Sequence, residues 1–278
     1  DQVRLYVRDL EQLTSHSGVL NLQRDLDAVF KWCNKWFMTL NITKCKSMRV
    51  SCRTTTHCSR TYFLNNIPLP SVEHYKYLGV YICSNHSWNV HVEYVNNNTN
   101  RMLGYLRRNF SSAPSSIKLT LYKTLVRSKL EYACAIWDTT YAILFETLEA
   151  IQNGAAHFIL SNYSRHSSVT SMKNTLNLPD FSLRRKLSRL NLFHKIYHFN
   201  SHLKDALFHR TSFISPRTDH HYKVGLPSCR TRLCNESFVP STSTAWNHLP
   251  ASIACIIDEK RFKLAVQDAL QLFFLIHL

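Results

Sequence analysis

Glycine is scarce in this chain, with five in 278 residues. The loops that cradle nucleotide phosphates, GxxxxGK[ST] and GxGxxG, need glycines at fixed spacing so that backbone can approach a phosphate. Neither pattern occurs, and there is no nucleophile elbow of the GxSxG kind. Long apolar runs are missing too. No stretch of 18 apolar residues exists, and the most apolar segment, 270–278, is too short to span a bilayer. Carboxylates are the third shortage, 18 Asp and Glu against 34 Lys and Arg. A two-metal phosphoryl-transfer site needs at least two acidic side chains converging on Mg²⁺. Asp25/Asp27 and Asp258/Glu259 lie too close along the chain to meet on one face, and Asp1 stands alone at the start of a strand pattern. From the residues alone, the chain is a module without a complete active site.

What the chain has is positive charge and apolar mass. The formal net charge is +16 with a pI near 9.6, which favours polyanionic partners, nucleic acid first. With 45 % hydrophobic and 12 % aromatic residues it can bury a sizeable core. The charge is uneven: residues 87–200 hold 14 Lys and Arg against 6 Asp and Glu, residues 1–86 hold 11 against 6, and residues 201–278 hold 9 against 6. The nine cysteines include Cys33 and Cys134 at helix-core spacing, and read as reduced, small apolar residues of an intracellular protein. Cys229-x4-Cys234, with His220, His221 and His248 nearby, fits none of the usual zinc spacings. Six N-x-S/T sequons read as products of a Ser, Thr and Asn-rich composition.

Periodicity divides the chain into an α+β arrangement. Residues 2–8 alternate as a half-buried strand, and the sequence, opening on Asp1, reads as a piece of something longer. An amphipathic helix is expected over 18–40, with Leu22, Leu26, Val29, Cys33, Trp36 and Leu40 on its apolar stripe. Short strands follow at 46–52, 61–64 and 67–69, the last two flanking an Asn65-Asn66 turn. The run YKYLGVYI, 75–82, begins a strand over 75–83 with Gly79 inside it. Alternation places Tyr75, Tyr77, Gly79 and Tyr81 on one face, and glycine in a strand interior marks a bulge or a close backbone approach. Beyond Trp88 the period is helical. Helices are expected from Trp88 to Arg108, over 115–137 with apolar stripes on two sides, over 144–158, 169–176 and 183–199, and finally over 260–274. Periodicity fades over 200–240. The fold class is thus a small helix-backed antiparallel sheet, then a mainly α-helical bundle and a short C-terminal helical segment.

Five ordered blocks carry a resemblance. LQRDLDAVFKWCNKWFMTLNITKCKSMRV (22–50) followed by YKYLGVYI resembles the region after the YxDD box in reverse transcriptases of non-LTR retrotransposons, especially the jockey-like elements of arthropods. LYKTLVRSKLEYACAIWD (121–138), LEAIQNGAAHFI (148–159), SVTSMKNTLNLPDFSLRRKLSRLNLFHKI (168–196) and FVPSTSTAWNHLP (238–250) resemble the C-terminal part of the same family, in order. The resemblance implies a right-hand polymerase whose fingers and most of whose palm precede residue 1. Residues 1–86 would be a palm remnant with the primer-grip hairpin, 87–200 a thumb-like domain, and 201–278 a linker and helix. Asp1 would be the second aspartate of the YxDD box and a Mg²⁺ ligand of the intact parent, or simply a strand-start aspartate. Lys44 in LNITKCK would approach the departing pyrophosphate as a general acid, or be a solvated turn lysine.

The same resemblance makes RNA–DNA hybrid or primer/template the partner. Tyr75, Tyr77, Gly79 and Tyr81 would meet a primer end. Arg107, Arg108, Lys123, Arg127, Arg184, Arg185 and Arg189 would contact backbone phosphates, which position a duplex without reading it. The chain departs from the family at Ser128, where proline is common, and at Asn153, Gly154 and His157, where arginines are common. The chain alone is expected to bind nucleic acid and not to polymerise. The rival reading is a stand-alone basic helical RNA- or single-strand-binding protein.

Overall fold

The computed structural model describes residues 16–50, 61–138, 141–211, 213–215 and 219–276. The fold is mixed α+β, mainly helical, and divides into two compact units, one ending at Val90 and one beginning at His91. The 2–8 strand pattern and Asp1 lie outside the described residues. No described helix is long and apolar enough to cross a membrane.

In the first unit, helix α1 (His16–Lys35) lies beside strand β1 (Phe63–Leu64). Gln23 joins them: its amide donates to the Phe63 carbonyl at 2.8 Å and accepts from the Phe63 N–H at 3.0 Å, acting as one more rung of a ladder. The helix stops earlier than the expected residue 40. Phe37 takes φ 55°, the Phe37 N–H donates to Asn34 O and the Met38 N–H to Cys33 O. That pair of bonds is the Schellman closure, usually built on glycine. Cys33 stays buried, whereas Trp36 falls past the helix end and is exposed. After a 3₁₀ turn (Ile42–Lys44), the expected strand at 46–52 contributes one parallel bridge, Ser47 to Ser71, and residues 51–60 lie outside the described set.

Strand β1 pairs with β2 (Ile67–Pro68) through Asn65 and Asn66, both at positive φ, as the asparagines predicted. The run YKYLGVYI is not one strand. It folds back on itself as β3 (His74–Tyr77) and β4 (Val80–Cys83), joined by Leu78 at φ 43° and Gly79 at φ 84°. Two consecutive positive φ values make a type I′ turn. Gly79 is thus a turn residue whose backbone needs the left-handed region, and the strand interior proposed for it is corrected.

The second unit is helical. It contains α2 (Asn89–Asn109), a run of α3 (Ser115–Leu121), a π segment (Tyr122–Arg127) and α4 (Ser128–Glu131), then α5 (Ala142–Leu160), α6 (Val169–Thr175) and α7 (Phe181–Phe199). The α3–α4 run ends at Glu131, six residues short of the expectation. Ala133 at φ 53° turns the chain, and the buried Trp137 indole donates to Tyr132 O at 2.7 Å. Only the stripe through Tyr122, Val126 and Leu130 is buried; of the second expected stripe, Leu125, Tyr132 and Ile136 face outward. Tyr122 O–H donates to Gln152 Oε1 at 3.1 Å, crossing to α5. Two further helices close on non-glycine residues at positive φ, α5 on Ser161 and α6 on Asn177.

The stretch without periodicity holds α8 (Ser201–Leu207), the pair β5 (His209–Arg210) and β6 (Val224–Gly225), α9 (Arg232–Glu236) and α10 (Phe238–Asn247). Helices α11 (Ala251–Ala254) and α12 (Glu259–Ile276) follow. Helix α10 starts FVP, and proline in a first turn removes no intrahelical bond. Its Trp246 is the centre of a cluster with Phe193, Phe208, Val224, Phe262 and Val266. The indole stacks 4.8 Å from Phe193 and donates to Tyr222 O at 2.8 Å. Asn247 pairs through its side-chain amide with both backbone groups of Val224.

Two histidines one turn apart line this cluster. His194 donates from Nε2 to Ile256 O at 2.7 Å and stacks 4.1 Å from Phe262; His198 lies 4.6 Å from it. Burial pushes both imidazoles below their ordinary pKa, and for His198 the neighbouring His194 and Lys204 add to the effect, lowering it to about 4. Between about pH 6.5 and 4 the unfolded chain therefore takes up a proton that the folded chain refuses, and stability falls as pH falls. We expect the helical unit to lose on the order of 1 kcal/mol from His198 between pH 7.5 and pH 5, allowing for partial exposure. Urea denaturation at both pH values, compared with His198→Gln, measures the loss; the variant should flatten the dependence.

Candidate nucleic-acid interface

The two-residue turn decides which side chains of the hairpin share a face. Register pairs Tyr77 with Val80, Lys76 with Tyr81, Tyr75 with Ile82 and His74 with Cys83. Cross-strand partners lie on the same side. Tyr75 and Tyr77 therefore sit with Val80 and Ile82, and Tyr81 moves to the opposite face, with His74 and Lys76. The single tyrosine face expected from alternation is corrected, because a two-residue turn inverts parity between the strands. On the second face the Lys76 ammonium lies 5.4 Å from the Tyr81 ring centroid and the His74 ring 6.1 Å from it. At the tip, Leu78 is 71 % exposed and left-handed. A leucine there costs roughly 1 kcal/mol relative to residues that tolerate αL.

In the helical unit, four of the predicted arginines are drawn into two carboxylate clamps. Glu131 receives Arg184, whose second nitrogen donates at 2.8 Å, and lies 3.8 Å from Arg127. Asp138 receives Arg185 at 3.2 Å and lies 3.1 Å from Arg189, which also donates to Ser241 at 2.9 Å. Arg185 is 2 % exposed and stacks 4.3 Å from the Trp137 ring. The hydrogen bonds to Glu131 raise the Arg184 pKa; burial, with the Arg184 charge beside it, lowers that of Arg127. Arg185 is an interior residue, and Arg127, Arg184 and Arg189 are largely committed to neighbours. Lys123 is half-buried. Lys44 lies exposed on the 3₁₀ turn.

Helix α2 differs. Arg101, Tyr105 and Arg108 fall at i, i+4 and i+7, so they share one face, and all three are exposed. Neither guanidinium is paired with a carboxylate among the described residues. Arg107 is beside them and donates to Gly154 O at 2.8 Å; a Cβ at Gly154 would stand 3.0 Å from that guanidinium nitrogen. The glycine thus makes room for Arg107. An aromatic ring between two free guanidiniums can take phosphates and a stacked base together. Arg101 and Tyr105 were absent from the predicted set, although their spacing from Arg108 was readable.

No group of three His, Cys, Asp or Glu converges among the described residues. Asp1, the residue that the resemblance makes a Mg²⁺ ligand of the intact parent, lies outside them.

A stretch of 132 residues, 46 % of this chain, is 24 % identical to a probable RNA-directed DNA polymerase from transposon X-element of Drosophila melanogaster. The match covers 14 % of that protein. No family model matches, and no solved structure matches. The chain contains a region related to a transposon reverse transcriptase.

The Asp138 clamp makes a sharp prediction. Asp138→Asn leaves the buried Arg185 charge without its counter-ion and should cost about 3–5 kcal/mol, read as a lowered urea midpoint with unchanged slope. Glu131→Gln, at a more exposed pair, should cost under about 1 kcal/mol.

Proposed function

We propose that this chain is the C-terminal, nucleic-acid-binding part of a transposon-encoded RNA-directed DNA polymerase of the jockey-like non-LTR type. The observation that carries the reading is the 132-residue similarity to the Drosophila transposon polymerase. The net charge of +16 and the exposed Arg101–Tyr105–Arg108 face support a polyanionic partner. Residues up to about 86 would be the end of a palm, and the helices after Trp88 a thumb that holds RNA–DNA hybrid by its backbone. In the parent, Mg²⁺ would serve two-metal phosphoryl transfer at carboxylates mostly outside this chain, Asp1 being the one it would contribute; Lys44 would stand near the leaving pyrophosphate. No catalytic step is assigned to the described residues. The alternative, a stand-alone RNA- or single-strand-binding protein, draws on the same basic helices.

The hairpin refines the primer-grip reading. A strained, exposed leucine followed by glycine at a hairpin tip, where Asn-Gly would be the relaxed choice, supports a role in contact rather than stability. Leu78 and Gly79 are proposed to meet the primer backbone, with Lys76 and Tyr81 on one face and Tyr75 and Tyr77 on the other.

Two measurements test this. Leu78→Asn should stabilise the first unit by about 0.5–1 kcal/mol yet weaken binding of a primer/template hybrid; equal or tighter binding refutes a role for the tip. In salt titrations with the same hybrid, Arg101→Ala/Arg108→Ala should reduce the slope of log K against log salt by about two. An unchanged slope removes these arginines from the interface. A clear preference for single-stranded RNA over hybrid would favour the alternative, and template-dependent synthesis by the chain alone with Mg²⁺ would overturn its assignment as a binding part only.

A further inference from the structure

The cysteines do not all behave as apolar fillers. Cys33, Cys83 and Cys134 are buried, but Cys229 is only half-buried and Cys234 is exposed. Their Sγ atoms stand 2.7 Å apart. Carbon atoms in non-bonded contact rest about 3.5–4.0 Å apart, and these two sulfurs are closer than that. The gap is within about 0.7 Å of the ~2.05 Å of a disulfide.

The local chain holds Cys234 from both sides. Thr231 accepts through its hydroxyl from the Cys234 N–H at 3.2 Å, capping α9, and its carbonyl accepts from Asn235 N–H at 3.1 Å. The Cys234 carbonyl accepts from both the N–H and the hydroxyl of Ser237, at 3.1 and 2.6 Å. Arg232 within the turn is bonded to Glu236 at 2.6 Å and lies 5.7 Å from the Tyr141 ring centroid. These bonds hold Cys234 in place, and with the sulfurs 2.7 Å apart a small movement would bring them to bonding distance. No third metal-ligating side chain joins them among the described residues. The exposed Cys255 donates only to Ser252 O at 3.4 Å and provides an unpaired comparison in the same chain.

We infer that Cys229 and Cys234 form a reversible intramolecular disulfide by exchange with a low-molecular-weight disulfide such as oxidised glutathione. The exposed Cys234, as thiolate, attacks one sulfur of oxidised glutathione; the glutathione S–S bond breaks and one glutathione thiolate leaves. Cys229, as thiolate, then attacks the Cys234 sulfur and expels the second glutathione. The two protein thiols give up two protons and two electrons, and these convert one oxidised glutathione into two reduced molecules. The closed ring spans 229–234 and ties Cys229, ahead of the helix, to Cys234 within α9, with Arg230 and Arg232 between them.

The test equilibrates the full chain in a series of reduced and oxidised glutathione mixtures, traps free thiols by alkylation, and maps the products by tryptic mass spectrometry. The expected product is a peptide pair joined through Cys229 and Cys234, two hydrogens lighter than the separate thiols, while Cys255 remains free or carries glutathione. In Cys229→Ser the resolving thiol is gone, so Cys234 should hold glutathione at least ~10-fold more than in the wild type. Cys234→Ser should do the same at Cys229, and thermal melts of the reduced proteins confirm that folded chains are being compared. Cys229 and Cys234 alkylated as readily as Cys255 across the series, or glutathione retained on wild-type Cys234 as fully as in Cys229→Ser, would overturn the inference.

Discussion

A guanidinium shut away from water is the constraint around which the helical unit is arranged. Arg185 has the Trp137 ring on one side and the Asp138 carboxylate at its end. A buried charge of this kind is tolerated only when its counter-charge is held in place. Asp138 can be in place only because the chain turns at Ala133 after α4 instead of continuing as helix. The same carboxylate faces Arg189, which reaches Ser241 on α10. One acid thus ties the end of the α3–α4 run to α7 and, through α7, to the Trp246 cluster. Residues that look like phosphate ligands in sequence are, at this point, the internal frame of the fold.

The scarcity of glycine shapes how elements end. Left-handed residues close α1, α5 and α6, and they are Phe37, Ser161 and Asn177. Each carries a Cβ into a region where glycine is favoured. Ser161 has a second duty, since its hydroxyl accepts from the buried Lys118 ammonium at 2.7 Å, so a glycine there would strand a buried cation. Two of the glycines have a visible local use. Gly79 supplies the second left-handed residue of a hairpin turn, and Gly154 leaves space for Arg107.

Burial therefore sorts the basic residues by role. Arginines on α7 and the π segment face carboxylates and neighbouring helices, whereas Arg101 and Arg108 on α2 share an exposed face with Tyr105. On the proposed reading, a duplex held through its backbone asks for charge and shape more than for base-specific side chains, and the basic α2 face would supply both.

The order of the helices was legible from 3.6-residue stripes, and α2, α5, α7 and α12 lie close to where periodicity put them, whereas the stripes at 18–40 and 115–137 overran their helices. The Asn65-Asn66 turn was legible because asparagine tolerates positive φ. Helix ends were not, because caps built on Phe37 or Ser161 carry no glycine signal. The stretch 238–250 was noticed only as a block of resemblance, and its helix was not read because a Pro-, Ser- and Thr-rich run has no apolar period, although tertiary packing buries Trp246 within it. For the candidate interface, the sequence by itself determined the charge, the kinship of one region and the i, i+4, i+7 spacing on α2. Only the tertiary structure decided which cations stay outside, because whether an arginine meets a carboxylate depends on where the chain turns. It also decided that Tyr81 leaves the face of Tyr75 and Tyr77, since two left-handed residues reverse a strand that alternation alone would have continued.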